Sequence, residues 1–94
     1  MTNTTYIVKR QGKRPTEAFE REKLHASILA TCLSVKAPEG QAQATATTVS
    51  DAVADWLEDK PEVTSEDIRR KAASVLERYH PEAAHLYKHH HMVI

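Results

Sequence analysis

Apolar residues in this chain recur at helical spacing in three separate stretches, and none of those stretches is apolar on every side. Leu24, Ile28, Cys32 and Val35 form the first stripe, widened by Leu29. Ala42, Ala46, Val49, Val53, Trp56 and Leu57 form the second, and Ile68, Ala72, Val75, Leu76 and Tyr79 the third. A helix with one apolar side must bury it against another element, so the three stripes predict one shared core. Pro38-Glu39-Gly40, Lys60-Pro61 and His80-Pro81 break the pattern. Thr64-Ser65-Glu66-Asp67 reads as a helix start, because Thr64 with Asp67 fits a capping box and acids suit the positive end of a helix. Pro81 suits the first position of a short last helix containing Ala83, Ala84, Leu86 and Tyr87. The 94 residues are expected to form a single domain, 1–94. At this size roughly 60–65% of the unfolded surface is buried, enough for one core.

Ahead of the helices, Thr5-Tyr6-Ile7-Val8 opens a strand over 5–10. Gln11-Gly12 supplies a turn, and a second short strand follows over about 14–19. Pro15 cannot donate to a ladder, which puts that second strand at an edge or makes it irregular. The expected fold is α+β: a small N-terminal β-hairpin layer capping a bundle of three to four short helices. Residues 1–4 and 89–94 are expected to be flexible termini.

Charge is where function begins to show. Thirteen basic and thirteen acidic residues cancel. The cancellation is not local: Lys9, Arg10, Lys13, Arg14, Arg21 and Lys23 crowd the hairpin and first helix, whereas Asp51, Asp55, Glu58, Asp59, Glu62, Glu66 and Asp67 lie in the middle. Turn or helix-start amides add to the positive field. Such a cluster suits an anion, and a triphosphate takes both the arginine fork and the lysine point charge.

Other chemistry is sparse. The single cysteine, Cys32, excludes an internal disulfide and a thiolate zinc ribbon, and its place in an apolar stripe reads as core. No apolar run approaches the ~20 residues of a membrane helix, and Met1-Thr2-Asn3-Thr4-Thr5 lacks signal-peptide character, so a cytoplasmic protein with no membrane partner is expected. There is no Gly-rich Walker motif and no paired catalytic carboxylate arrangement, and no enzyme activity is expected. Zero net charge argues against autonomous nucleic-acid binding. His89-His90-His91, with His85 one turn earlier, reads first as a solvated terminus, with adventitious metal capture as the lesser alternative, and no metal site is expected. Trp56 belongs to the core or an association surface; Tyr79 and Tyr87 fit either the bundle or a partner contact.

Val8-Lys9-Arg10-Gln11-Gly12, then Phe19-Glu20-Arg21-Glu22-Lys23-Leu24 with Ser27-Ile28, resembles the ATP-cone. This family is the regulatory nucleotide-binding domain of many ribonucleotide reductase large subunits and of the bacterial repressor of their genes. Val63-Thr64-Ser65-Glu66-Asp67-Ile68 and Ala84-His85-Leu86-Tyr87 continue the resemblance, which covers roughly residues 6–90. It implies a β-hairpin layer over a helical bundle, in agreement with the independent reading. It further implies that Lys9, Arg10 and Lys23 grip phosphates and that Val8 contacts the base or lines its pocket. By the same implication Glu17 and Glu20 meet adenine, ribose or a bound Mg²⁺, while Arg69 and Lys88 close over the phosphates. Lys13, Arg14 and Arg21 are taken as surface charge that tunes the field.

Gln11 stands where the family commonly has Asp, and Pro15-Thr16 lengthens the hairpin. The reductase barrel and the repressor's zinc ribbon have no counterpart in these residues, which points to an isolated cone, free-standing or excised. The function expected is a non-catalytic ATP- or dATP-binding regulatory domain, with Mg²⁺ accompanying the nucleotide. Its expected response is a change in association with a second copy or a ribonucleotide reductase-related protein. The alternative is a protein-interaction module that keeps the fold but binds nucleotide weakly or not at all.

Overall fold

The structure is a computed structural model that describes residues 5–8 and 17–89. Among these, strands β1 (Tyr6–Val8) and β2 (Glu17–Ala18) lead into helices α1 (Arg21–Ser34) and α2 (Glu39–Leu57). Strand β3 (Glu62–Thr64) and helices α3 (Ser65–Leu76) and α4 (Pro81–His89) complete the described chain.

The expected hairpin is present: β1 pairs antiparallel with β2, Tyr6 opposite Ala18 and Ile7 opposite Glu17. The Phe19 N–H donates to the Thr5 carbonyl at 2.7 Å, extending the ladder. β3 was not expected. It lies parallel to β1, with Ile7 opposite Val63, and gives a sheet of order β2-β1-β3 with β2 at an edge. Three residues are too few to carry a strand signal, and β3 becomes a strand only because β1 offers it a ladder. Further bonds tie β1 to the end of α2. The Tyr6 N–H donates to the Pro61 carbonyl at 3.0 Å. The buried Thr5 hydroxyl lies 3.0 Å from the Leu57 carbonyl and 2.9 Å from that of Lys60. Ile7 and Val63 point into the core, whereas Tyr6, Ala18 and Glu62 occupy the exposed outer face.

The core follows the three stripes. Leu24, Ile28 and Cys32 of α1 pack with Val49, Val53 and Leu57 of α2 and with Ile68 and Leu76 of α3. Burying each large aliphatic side chain is worth about 1.5–3 kcal/mol relative to exposure. Ala42 and Ala46, fully buried, occupy the half of α2 that is poor in large apolar residues. Their small side chains permit close approach of a neighbouring helix.

Two local expectations need correction. Gly40 does not break the chain: α2 begins at Glu39 with Pro38 as its N-cap, and Gly40 is helical. The break lies just before it, over residues 35–38, at the end of α1. There the Lys36 N–H donates to the Leu33 carbonyl and the Ala37 N–H to that of Cys32, both at 3.0 Å, with Lys36 at φ 64°. These bonds form a Schellman motif with lysine at its left-handed position. Tyr79, the last member of the third stripe, lies beyond α3 and is 51% exposed. The chain tightens there through Arg78 N–H to Val75 and Tyr79 N–H to Leu76 bonds, and the three-residue repeat shifts Tyr79 out of phase with the stripe.

The capping box forms as expected. The Asp67 N–H donates to Thr64 Oγ1 at 3.1 Å, and the Thr64 N–H to Asp67 Oδ2 at 3.2 Å. Pro81 opens α4, and the preceding His80 accepts the Ala83 N–H on Nδ1 at 3.2 Å. Trp56 is half-buried against the core; Lys60 Nζ lies 4.6 Å and Lys71 Nζ 5.8 Å from its ring centroid.

Candidate functional site

The antiparallel register fixes the base of the basic hairpin. Val8 ends β1 and Glu17 begins β2. Lys9 and Arg10, the leading phosphate candidates, lie outside the described residues, as do Gln11, Gly12, Lys13, Arg14, Pro15 and Thr16. β2 then passes through Phe19 to Glu20, the N-cap of α1. Glu20 makes no side-chain cap hydrogen bond. Among the described residues this helix start, unlike that of α3, is therefore not closed by its own cap, and it carries Glu22 in its first turn.

The first turns of α1 separate the candidate cations. Arg21 turns toward α2, where its Nη2 and Nε lie 2.7 and 2.9 Å from Asp51 Oδ1. Its Nη2 also reaches the Thr47 carbonyl at 3.4 Å. One turn later His25 Nε2 sits 3.3 Å from Thr47 Oγ1. Lys23 points elsewhere: it is about half exposed, with Nζ 3.8 Å from Glu20 Oε2. A pair that long between exposed groups contributes little to stability and leaves the ammonium able to exchange partners. Glu20 and Lys23 are thus brought together at the helix start, and Arg21 is held away by Asp51.

Behind Lys23 on the same face of α1 is Ser27, wholly within the protein. Its hydroxyl donates to the Leu24 carbonyl at 2.8 Å and meets the Tyr87 hydroxyl of α4 at 2.9 Å. Burial pushes the Tyr87 phenol above its ordinary pKa, while the Ser27 hydrogen bond and the nearby Arg69 charge pull the other way. Arg69, half-buried on α3, is therefore on the side of the bundle where α1 and α4 meet. Lys88 is not gathered there. It lines a cleft of about 450 Å³ between α3 and α4 with Arg70, Ala73, Glu77, Ala84 and His85. Among the described residues, none of the sheet or of α1 lines that cleft.

The Ser27–Tyr87 contact escaped sequence reading. A serine inside an apolar stripe carries little signal, and its partner is 60 residues away. Cys32 is buried, and desolvation raises its thiol pKa, which makes it a poor nucleophile. Among the described residues no three His, Cys, Asp or Glu side chains converge as a metal site. Among the same residues no helix is long and apolar enough to cross a membrane.

No curated protein and no solved structure matches the chain significantly. The family model described as the ATP cone domain matches residues 5–91, which takes in the sheet, the open start of α1 and all of α4. The chain belongs to the ATP-cone family of nucleotide-binding regulatory domains.

Proposed function

We propose that this domain is a non-catalytic sensor of ATP or dATP that alters how a second protein surface, in another copy or in a ribonucleotide reductase-related partner, packs against it. The family match over residues 5–91 carries the reading. Within the described residues it is supported by Lys23, exposed beside the uncapped start of α1 and only loosely engaged by Glu20.

In this reading Val8 contacts the base, and Lys9, Arg10 and Lys23 take the phosphates. Glu17 and Glu20 meet the adenine amino group, the ribose or the Mg²⁺ that the triphosphate brings. Lys23 exchanges its long Glu20 contact for a stronger phosphate oxygen, which frees the carboxylate for the nucleotide or its metal. Arg69 adds positive charge from the α1–α4 junction. Lys88, in the α3–α4 cleft, reaches the same phosphates only if the end of α4 turns toward α1. The regulatory step is charge neutralisation: the basic hairpin repels itself without ligand, and the triphosphate draws hairpin and helices together. Such a shift requires that nucleotide bind one arrangement more tightly than the other.

The test is calorimetric titration of nucleotide-free protein with ATP, dATP and GTP in the presence of Mg²⁺, with sedimentation of the apo and saturated forms. Saturable adenine-selective binding with a change in self-association is the expected result. Adenine binding without that change restricts the response to a heterologous partner. Absence of binding overturns the sensor and leaves a protein-interaction module.

A further inference from the structure

The histidines at the end of α4 are not used by the nucleotide reading. His85 and His89 are both exposed, one helical turn apart, with ring centroids 4.5 Å from each other and planes inclined at 52°. Two imidazoles at positions i and i+4 of a helix lie on one face, the spacing by which helical His pairs hold zinc. The separation also suits chelation. An imidazole nitrogen binds zinc at about 2.0–2.1 Å, which puts the ring centroid roughly 3.2 Å from the ion. Two such rings at angles of about 90–110° have centroids roughly 4.5–5.3 Å apart, and the observed separation falls at the lower edge.

We propose that His85 and His89 form a bidentate site for a divalent ion of the zinc, nickel or copper class at the mouth of the α3–α4 cleft. Neutral imidazole is a preferred ligand for these ions, whereas Mg²⁺ prefers oxygen. The surroundings are mixed in sign. Arg70 and Lys88 line the same cleft and oppose a cation, but Arg70 lies 3.5 Å from Asp67, and Glu77 contributes a negative charge. With no third ligand converging among the described residues, the ion keeps positions open to water. It is therefore exchangeable, unlike a closed structural zinc.

Titrating the full chain with Ni²⁺ or Zn²⁺ in the absence of nucleotide tests the site. The parent is compared with H85A, H89A and the double variant H90A/H91A, whose positions follow α4. Alanine is a strong helix former, and circular dichroism checks that α4 and the bundle persist. Saturable binding by the parent is expected. H85A and H89A each weaken it by at least about tenfold, because either change converts a chelate into a single ligand. H90A/H91A stays within about threefold of the parent, since neither ligand is touched. A Cu²⁺ resonance spectrum showing two equivalent nitrogens in the parent and one in H85A gives the same answer independently of affinity. The proposal is overturned if the parent shows no saturable binding, if H85A binds as tightly as the parent, or if H90A/H91A loses as much as H85A.

Discussion

The Tyr87 hydroxyl lies 2.9 Å from Ser27 Oγ with both residues buried, a polar contact that joins α4 to α1 inside the bundle. Either hydroxyl can donate in this bond, and with the Ser27 proton on the Leu24 carbonyl it is Tyr87 that donates. The partners are therefore unequal. S27A leaves a buried phenol without an acceptor and is expected to cost about 1–3 kcal/mol, whereas Y87F removes only the bond and costs about 0.5–1.5 kcal/mol. Urea unfolding of the two variants checks the order. The raised pKa of Tyr87 adds a pH signature. Its stabilisation is complete below the unfolded value of 10.0 and is lost as pH rises through the higher folded value. Y87F is expected to lose less stability than the parent above pH 10.

Lys36 sits at φ 64° where α1 ends, a conformation that a side chain with a Cβ adopts at a cost. K36G relieves that cost and gives back part of it through the freer unfolded chain. A net gain of about 0.5–1 kcal/mol is expected, read as a rise in the denaturation midpoint at unchanged slope.

The α3 capping box predicts an acid-side effect. The Thr64 backbone N–H is the main influence holding the Asp67 carboxyl below its ordinary pKa, with the Thr64 hydroxyl and the Arg70 charge contributing. The stability this confers is present above the unfolded value of 3.8 and is lost as pH falls through the folded value. T64A is expected to cost about 0.5–2 kcal/mol at neutral pH. D67N, followed by thermal unfolding from pH 7 to pH 2, is expected to flatten the acid limb.

Ser50 is fully buried on α2, and its hydroxyl has no hydrogen-bond partner among the described residues. S50A removes an unsatisfied polar group and introduces a better helix former. It is expected to stabilise the domain by about 1 kcal/mol in the same unfolding assay, and a loss instead would place a bound water or another partner at that hydroxyl.

The nucleotide site is tested by the contrast between adjacent cations. K23A is expected to weaken ATP or dATP binding about 10- to 100-fold, the worth of one charge-assisted phosphate contact. R21A, which breaks the Asp51 pair, is expected to leave affinity within about threefold and to cost at most about 1 kcal/mol of stability. K88A in the same titration distinguishes a phosphate role for α4 from a role confined to its own cleft. Equal affinity in K23A and the parent would remove Lys23 from the site.

The helices and their local punctuation were legible in the chain because their signals are short in range. Leu24, Ile28 and Cys32 declare a face through spacing alone, Thr64 and Asp67 close a box three residues wide, and Pro81 can open a helix but not continue one. The pairing of the first two strands and the family's motifs were equally local. What the tertiary structure alone decided depends on residues far apart in sequence. Glu62–Thr64 becomes a strand because β1 lies beside it, and Arg21 is turned toward α2 by Asp51, thirty positions on. Ser27 meets Tyr87, and Lys88 lines the α3–α4 cleft while the Arg69 charge acts on Tyr87, through the packing of α1, α3 and α4. Local free energies of a few tenths to about 1 kcal/mol select turns, caps and helical phase. Which polar groups share a buried or half-buried space is fixed only when the whole core closes and each must find a partner.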